Sequence, residues 1–200
     1  MRDIIKLAES FHGHLSPGVA LGIRMSQIGL EKLGLSRGDK RLFAVVETTL
    51  CLADGVQACT GCTVGHGSLR VEDFGKLAIC LARSDTKKGV RLTLKQESLP
   101  RNVNDWVMRR RKFSHSEEDE ISKEMLCLDE SHFKIEEVAI EPFSEFSEVG
   151  IVQCDICGEW VVEDKTVRAK GKILCRSCFG ACYYTPCNPH SIKCDIGGCL

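Results

Sequence analysis

Two groups of residues in the first third of the chain have side chains suited to chemistry. His12 and His14 flank a glycine, and the stretch from Glu47 to Gly67 holds three cysteines, two acids, a further histidine and four glycines. Residues two apart in an extended loop point to the same side, so the two imidazoles can hold one ion or one ligand. Imidazole and thiolate together suit zinc, iron, nickel or copper, and fewer than four protein ligands leave a position open to substrate.

This spacing predicts a cleft that binds a transition metal. Its expected members are the following five residues of the two groups: His12, His14, Cys51, Asp54 and Cys62. The same residues allow a second chemistry, because a cysteine near a helix N-terminus and a histidine can act as a nucleophile or a redox thiol. In that case Cys51 or Cys62 is the reactive residue. Cys59, Cys80 and Cys127 are predicted as small apolar residues of the core, as most free cysteines are.

The second half of the chain carries a stronger metal-binding pattern. Cys154-x-x-Cys157 is followed, after a segment long enough for a hairpin, by Cys175-x-x-Cys178. Two such knuckles present four sulfurs to one point, which is the ligand set of a structural zinc. A segment this small buries little apolar surface, so we expect the metal to supply the missing folding energy. A redox dithiol is the alternative.

A cysteine-rich tail follows the second knuckle. Its spacings match no single metal-site pattern, and the alternative to a second metal is a tail of free thiols. The candidate ligands are Cys182, Cys187, His190, Cys194 and Cys199.

The elements that position these residues follow from periodicity and capping. Residues 2–11 predict an amphipathic helix, and Ser16-Pro17 starts a second helix that stops at Gly34. The apolar run 42–46 predicts a buried strand, after which Asp54 is expected to cap a short helix. Residues 76–95 predict a hairpin, 102–112 and 116–128 two helices, the latter starting at Ser116, and 132–141 a further strand.

Composition narrows the function classes. The chain has 200 residues, thirteen cysteines and a net charge of −1. No apolar stretch is long enough to cross a membrane, and no signal peptide is evident, so we expect a cytoplasmic protein with reduced thiols. The charge balance speaks against nucleic acid as a partner.

We expect a main domain at 1–145 and a zinc-ribbon domain with the cysteine-rich tail at 146–200, joined by a linker with Phe143 and Phe146.

Several motifs together resemble a known family. Phe11-His-Gly-His-Leu-Ser-Pro-Gly18, Val46-Glu-Thr with Cys51-x-x-Asp54, Thr60-Gly-Cys-Thr-x-Gly65 and Phe74-Gly-Lys76 are similar to the E-subunit family of formylmethanofuran dehydrogenase. The knuckle Cys154-x-x-Cys-Gly-Glu resembles the zinc finger that many members carry after this domain. Ser16 stands where members often have cysteine, and His66 where lysine is common.

The resemblance implies an α+β fold, with a mixed or antiparallel sheet packed with helices, a small zinc module and commonly a homodimer. It also implies association with the molybdenum or tungsten enzyme that interconverts carbon dioxide and formylmethanofuran in methanogenesis, hence with an oxidoreductase. The family's site residues map to His12, His14, Cys51, Asp54, Cys62 and Lys76.

Three function classes stay open from the sequence. The leading hypothesis is a metal-binding, redox-linked accessory subunit, or a free-standing relative, of that dehydrogenase. The second is an adaptor whose zinc ribbon binds a protein or nucleic acid while the first domain dimerises. The third is a thiol-dependent enzyme that uses Cys51 or Cys62. We also expect the ribbons of a twofold dimer to be exchanged between protomers.

Overall fold

A computed structural model of the protein describes residues 1–142, 150–181, 183, 184 and 187. The chain divides into two compact units, Met1–Ser144 and Glu145–Leu200. The predicted linker residues Phe143 and Phe146 lie outside the described residues. Among the helices that are described, none is both long and apolar enough to cross a bilayer.

In its described part, the first unit consists of five α-helices and a five-stranded sheet. The helices are α1 (Arg2–His12), α2 (Pro17–Leu33), α3 (Leu52–Thr60), α4 (Arg101–Val107) and α5 (His115–Cys127). The strands are β1 (Leu42–Val46), β2 (Leu69–Val71), β3 (Ala78–Arg83), β4 (Lys88–Leu94) and β5 (Phe133–Ala139). They lie in the order β2-β1-β3-β4-β5, with β1 and β2 parallel and the other pairs antiparallel. The predicted α+β class with a mixed sheet is confirmed.

The parallel pair determines where a site can form. Antiparallel strands are joined by short hairpins, as β3 and β4 are, whereas parallel strands need a crossover. Here the crossover contains α3, so the chain leaves the end of β1 at Val46 and enters α3 after Cys51. The stretch from Glu47 to Cys51 is therefore the passage from a buried strand to a helix N-terminus, where ligand sites are often built.

Helix α2 lies in the centre of the first unit. Ser16 caps it by accepting a hydrogen bond from the Val19 amide at 3.3 Å, and Pro17 occupies the first helical position. Gly34 ends the helix in the left-handed conformation, with φ of 61°. Almost every residue of the first three turns is buried, because α3, α5 and the sheet pack around this helix.

Two glycines allow α2 and α3 to touch at their backbones. A Cβ atom added to Gly22 would lie 2.2 Å from the Leu52 carbonyl oxygen, and one added to Gly55 would lie 2.2 Å from the Val19 carbonyl oxygen. No side chain fits at either position without moving a helix. The first turn of α3 is thereby held against the first turns of α2.

A charged cluster joins β1 to the far strands of the sheet. Arg91 of β4 donates from Nε to Glu47 Oε1 at 2.5 Å and from Nη2 to Glu47 Oε2 at 2.9 Å. Its Nη1 also donates to Glu136 Oε2 on β5 at 3.2 Å. The hydrogen bonds from Arg91 lower the pKa of the largely buried Glu47 carboxyl, so this carboxylate is ionised and paired at neutral pH.

Four expectations about helices and cysteines were wrong in detail. Helix α5 starts after Ser114 rather than Ser116, because Ser114 and Glu117 form a reciprocal capping box. Asp54 lies in the first turn of α3 and does not cap it. The helix expected at 102–112 ends at Val107, since Arg109 adopts a left-handed conformation. Cys127 ends α5 with its side chain exposed rather than in the core.

The second unit is small and lacks an extended core in its described part. Its described strands are β6 (Ile151–Gln153), β7 (Trp160–Val162), β8 (Thr166–Ala169) and β9 (Lys172–Cys175), which form two antiparallel hairpins. Its buried core residues are Leu174 and three of the four predicted zinc-ligand cysteines, and Trp160 is 71% exposed.

Substitution of Gly55 by alanine tests the contact between α2 and α3. The new Cβ would overlap with a backbone oxygen that cannot rotate away, so we expect the free energy of unfolding to fall by about 3 kcal/mol. Urea denaturation of the purified variant measures this change.

Gly65→Ala is the matched control. No heavy atom lies within 4 Å of a Cβ added there, so we expect a change within about 0.5 kcal/mol. Equal stability of the two variants would show that the helices are not in backbone contact.

Candidate functional site

The two histidines lie at the end of α1 and in the short loop that leads to α2. Gly13 makes this loop possible, because its φ of 95° lies in the left-handed region. His12 is the last residue of α1, His14 lies in the loop, and Ser16 caps α2. Since α2 is held against α3, this loop lies beside the first turn of α3, which carries Cys51 and Asp54.

His12 and Asp54 form the closest polar contact of this region. His12 Nδ1 lies 2.6 Å from Asp54 Oδ2, and the two side chains are 14% and 40% exposed. If Nδ1 carries the proton that is donated to Asp54, His12 Nε2 has a free lone pair, and the Ser16 hydroxyl lies 3.4 Å from it. A carboxylate that orients an imidazole in this way is a common arrangement in metal ligands and in acid–base groups.

The imidazole of His14 lies between two others. Its ring centroid is 5.3 Å from that of His12 and 5.9 Å from that of His115, the first residue of α5. Ser122 holds α5 beside this loop by donating to the Leu15 carbonyl at 3.0 Å. We name His12, His14, His115 and Asp54 the histidine cluster. Sequence reasoning missed His115, because nothing in its local pattern relates α5 to a loop a hundred residues earlier.

Cys51 and Cys62 occupy different environments. Cys51 precedes α3, is half-buried, and lies against Gly18, where an added Cβ would be 3.0 Å from Cys51 Cβ. Cys62 belongs to the hydrophobic core, where its thiol donates to the Leu42 carbonyl oxygen at 3.7 Å. Burial raises the pKa of the Cys62 thiol, although hydrogen bonds with Thr60 and Ser68 act to lower it. Its setting is therefore that of a protonated core thiol.

The core prediction for Cys59 and Cys80 is confirmed. Both side chains are buried, and burial raises the pKa of the Cys59 thiol to about 12 and that of Cys80 to about 11. Neither thiol ionises near neutral pH, so neither is available as a thiolate nucleophile.

Lys76 lies two residues before β3, beside the end of β1. Its amide donates to the Glu47 carbonyl at 3.0 Å, and its exposed Nζ lies 5.7 Å from the centre of the Phe74 ring. The Lys76 charge also contributes to lowering the pKa of Glu47, after the hydrogen bonds of Arg91. His66 is exposed, and its amide donates to the Thr63 hydroxyl at 3.1 Å.

The four predicted zinc ligands meet at one point in the second unit. The sulfurs of Cys154, Cys157, Cys175 and Cys178 all lie within 4.8 Å of one another. Over the described ranges, this is the one group of three or more His, Cys, Asp or Glu ligand atoms so closely placed. The ligand atoms of the histidine cluster and of Cys51 therefore lack the spacing of a closed metal site.

The spacing of these sulfurs is compatible with tetrahedral coordination. Cys157 Sγ and Cys175 Sγ are 3.9 Å apart, and sulfurs at the usual 2.3 Å from a tetrahedral zinc are about 3.8 Å apart. Asp155 joins the first knuckle to β9, because its carboxylate accepts from the Ile173 amide at 2.6 Å and its amide donates to the Ile173 carbonyl at 2.8 Å. The four sulfurs could therefore hold a metal ion such as zinc.

The protonation of these thiols also favours a bound cation. Burial opposes ionisation of Cys154, but the amides of Cys157, Cys175 and Ile156 outweigh it and lower the pKa of this thiol to about 6. Burial and then the neighbouring thiol of Cys175 raise the pKa of Cys178. Four adjacent thiolates repel one another, so full ionisation requires a positive ion between them.

The second metal site predicted in the tail falls mostly outside the described residues. Cys187 is exposed and carries a free thiol. The other four candidate ligands, Cys182, His190, Cys194 and Cys199, belong to the part of the chain that is not described.

Comparisons with known proteins agree with the fold and the motifs. The family model FmdE, described as "Molybdenum formylmethanofuran dehydrogenase operon", matches residues 11–140. A solved structure of a tungsten formylmethanofuran dehydrogenase FmdE-like protein from Syntrophus aciditrophicus is 27% identical, with a TM-score of 0.71 over 92% of this chain and 94% of that chain.

A curated relative from Archaeoglobus fulgidus is named "Probable S-adenosyl-L-methionine-binding protein" and is 35% identical over 195 residues. The alignment covers 88% of this chain and 52% of that protein, so the chain spans about half the length of this relative. The family match extends over more than half of the chain and includes the histidine loop, α3 and the whole sheet. The chain belongs to the FmdE family.

Proposed function

We propose that the protein is a metal-binding, redox-linked accessory subunit, or a free-standing relative, of a molybdenum or tungsten formylmethanofuran dehydrogenase. The family match and the likeness to an FmdE-like structure support this proposal. The proposed partners are other subunits of that enzyme, and the proposed setting is methanogenic metabolism in the cytoplasm, where the four knuckle thiols stay reduced.

The proposed site of the first unit is centred on the histidine cluster. The contact of 2.6 Å between His12 and Asp54 is the observation on which this proposal rests, because it orients the imidazole and, with the proton on Nδ1, leaves Nε2 unprotonated. The Ser16 hydroxyl faces Nε2 at 3.4 Å, and a metal would take its place there. His14 and Cys51 complete an open transition-metal site in this proposal. Cys62 and Lys76 are kept as family-derived candidates, with Cys62 supporting Cys51 and α3 from the core and Lys76 interacting with a ligand from the end of β1.

Asp54→Asn tests the open site. Asparagine keeps the size of the side chain but loses the charge that orients and polarises His12. We expect the affinity of the first unit for Zn²⁺ or Co²⁺ to fall about 10- to 100-fold. Competition titration of the full chain measures this affinity, after the four-cysteine site has been filled.

Asp119→Asn is the control, because Asp119 is an exposed acid of α5 and its loss should leave the affinity unchanged. A wild-type chain that never binds more metal than the four-cysteine site accounts for would contradict the open metal site. Selective alkylation of Cys51 in that metal-free unit would instead favour the thiol-dependent enzyme.

We further propose that zinc is the metal of the second unit and that it is structural. Four sulfurs at tetrahedral spacing, together with so little apolar core, support this proposal. Bound zinc would be held by four thiolates, which shield it from ligands.

Metal removal tests the structural role. We expect one zinc per chain, and we expect chelation or Cys157→Ser to unfold β6 to β9 while the first unit stays folded, since each unit has its own core. Hydrogen exchange resolved by segment measures the loss of protection. Cys127→Ser removes an exposed thiol of α5 and should retain the zinc. Retention of protection in β6 to β9 after complete metal removal would contradict a structural zinc.

A homodimer is also proposed, in line with the family resemblance. On β6 and β7, Ile151 pairs with Val162, and Ile151 and Trp160 are 65% and 71% exposed. An apolar face of this size on so small a unit is suited to a protein contact. Light scattering at micromolar concentration should give twice the chain mass, and Trp160→Ser should shift it toward the monomer. A monomeric wild-type chain would contradict the dimer and would favour the adaptor hypothesis, in which this face binds another protein.

A further inference from the structure

A cavity of about 890 Å³ lies in the first unit beside the connection between α4 and α5. This volume lies in the range of small-molecule sites and is far larger than an inorganic ion needs. The lining residues include apolar, aromatic and basic side chains. They are Leu50, Gly75, Leu77, Trp106, Val107, Arg109, Arg111, Lys112, Phe113 and Glu118.

The lining has two chemically distinct parts. Its aromatic residues, which we call the aromatic wall, are Trp106 and Phe113, and its aliphatic residues are Leu50, Leu77 and Val107. The basic wall consists of Arg109, Arg111 and Lys112, which belong to the most basic run of the sequence. The residues proposed for metal binding do not include this run.

The charges of the basic wall are only partly neutralised. Arg111 lies 3.9 Å above the centre of the Phe113 ring and donates from Nη1 to Glu117 at 2.7 Å. Within the described part of the chain, Arg109 and Lys112 make no ion pair. Glu118 is the single carboxylate of the lining, and it accepts from Trp106 Nε1 at 3.3 Å. The cavity is therefore net positive.

The backbone at Arg109 gives a second reason to assign a function to this cavity. Arg109 has φ of 49°, and its amide donates to the Trp106 carbonyl at 3.0 Å just after the end of α4. Glycine is the residue that this position of a helix end favours, because a Cβ is disfavoured in the left-handed region. Arg109 therefore carries a conformational cost that glycine would avoid, and its side chain lines the cavity.

We propose that this cavity binds a nucleoside phosphate or a similar planar organic phosphate. The ring lies on the aromatic wall and the phosphate faces the basic wall, where guanidinium and ammonium groups form charge-assisted hydrogen bonds with its oxygens. The proposed site shares no residue with the histidine cluster and does not depend on a metal there. Phe113 is its nearest link to that cluster in sequence, because it lies two residues before His115.

Tryptophan fluorescence tests the proposal directly. The chain has two tryptophans, Trp106 in the cavity and Trp160 in the second unit, so Trp160→Phe leaves Trp106 as the sole reporter. We expect adenosine monophosphate to change this fluorescence saturably. Adenosine, which has the same ring without the phosphate, should bind at least about tenfold more weakly, and added salt should weaken the binding of the monophosphate.

Arg109→Gly separates a role in binding from a role in folding. We expect this variant to bind adenosine monophosphate about tenfold more weakly, while its melting temperature rises by about 2–4 °C because glycine suits the backbone. Lys112→Gln should weaken binding by a similar factor with no change in melting temperature. Arg101→Gln, which removes a cation of α4 outside the cavity, should retain the affinity within about twofold.

Three outcomes would overturn the proposal. The first is the absence of a saturable change with the monophosphate up to about 10 mM, well above the range of specific sites. The second is equal affinity for adenosine and its monophosphate. The third is an unchanged affinity in both Arg109→Gly and Lys112→Gln.

Discussion

Helices α2 and α3 meet where neither has a side chain, at Gly22 and Gly55. Because any Cβ there would overlap with a carbonyl oxygen of the facing helix, the contact also sets how far α3 can shift along α2. Gly18 lies one turn before Gly22, and it leaves room for Cys51 at the start of α3. The close packing of the two helices therefore places Asp54 in contact with His12, which lies forty-two positions earlier in the sequence. The histidine cluster is a consequence of this packing.

The chemistry that we propose for the cluster depends on orientation more than on the number of ligands. Asp54 orients the His12 ring, and Ser16 both caps α2 and faces His12 Nε2. Where the family resemblance implies a cysteine, Ser16 presents a hydroxyl. The imidazole of His115 lies close to His14 instead. The ligand set of the proposed open site is therefore richer in nitrogen than the family resemblance implies, and imidazole nitrogen suits zinc, copper, iron and nickel.

The two units are stabilised by different means. The first unit has a large apolar core around α2, and its Glu47–Arg91–Glu136 cluster links β4 to β5 and to the end of β1. The second unit buries Leu174 and three of the four knuckle cysteines, with the tryptophan largely exposed. A bound metal would replace the missing core there, because four sulfur bonds would join both knuckles at one point. The Asp155–Ile173 hydrogen bonds keep the knuckles together at the backbone as well.

Local signals in the sequence determined the bounds of several helices and strands and the convergence of the four knuckle cysteines. Ser16, Pro17 and Gly34 bound α2, the apolar run at 42–46 forms β1, and the two Cys-x-x-Cys knuckles converge as their spacing predicts. Each of these features depends on residues close together in the chain, so pattern and propensity suffice. The motifs around His12, Cys51 and Gly65 also indicated the family. The capping box of Ser114 and Glu117 is also a local signal, but Ser116, two residues later, is an equally suitable residue to start the helix.

Only the tertiary structure decided which of these side chains meet. Because α2 packs against α3, Asp54 contacts His12 instead of capping its own helix. The packing of α5 places His115 beside His14. The same packing places Cys62 in the core although Cys51, eleven positions earlier, stays half-buried. Because α4 ends at Val107, the basic residues that follow it, Arg109, Arg111 and Lys112, line the cavity. Long-range packing sets these contacts, and a single sequence carries no local signal for them.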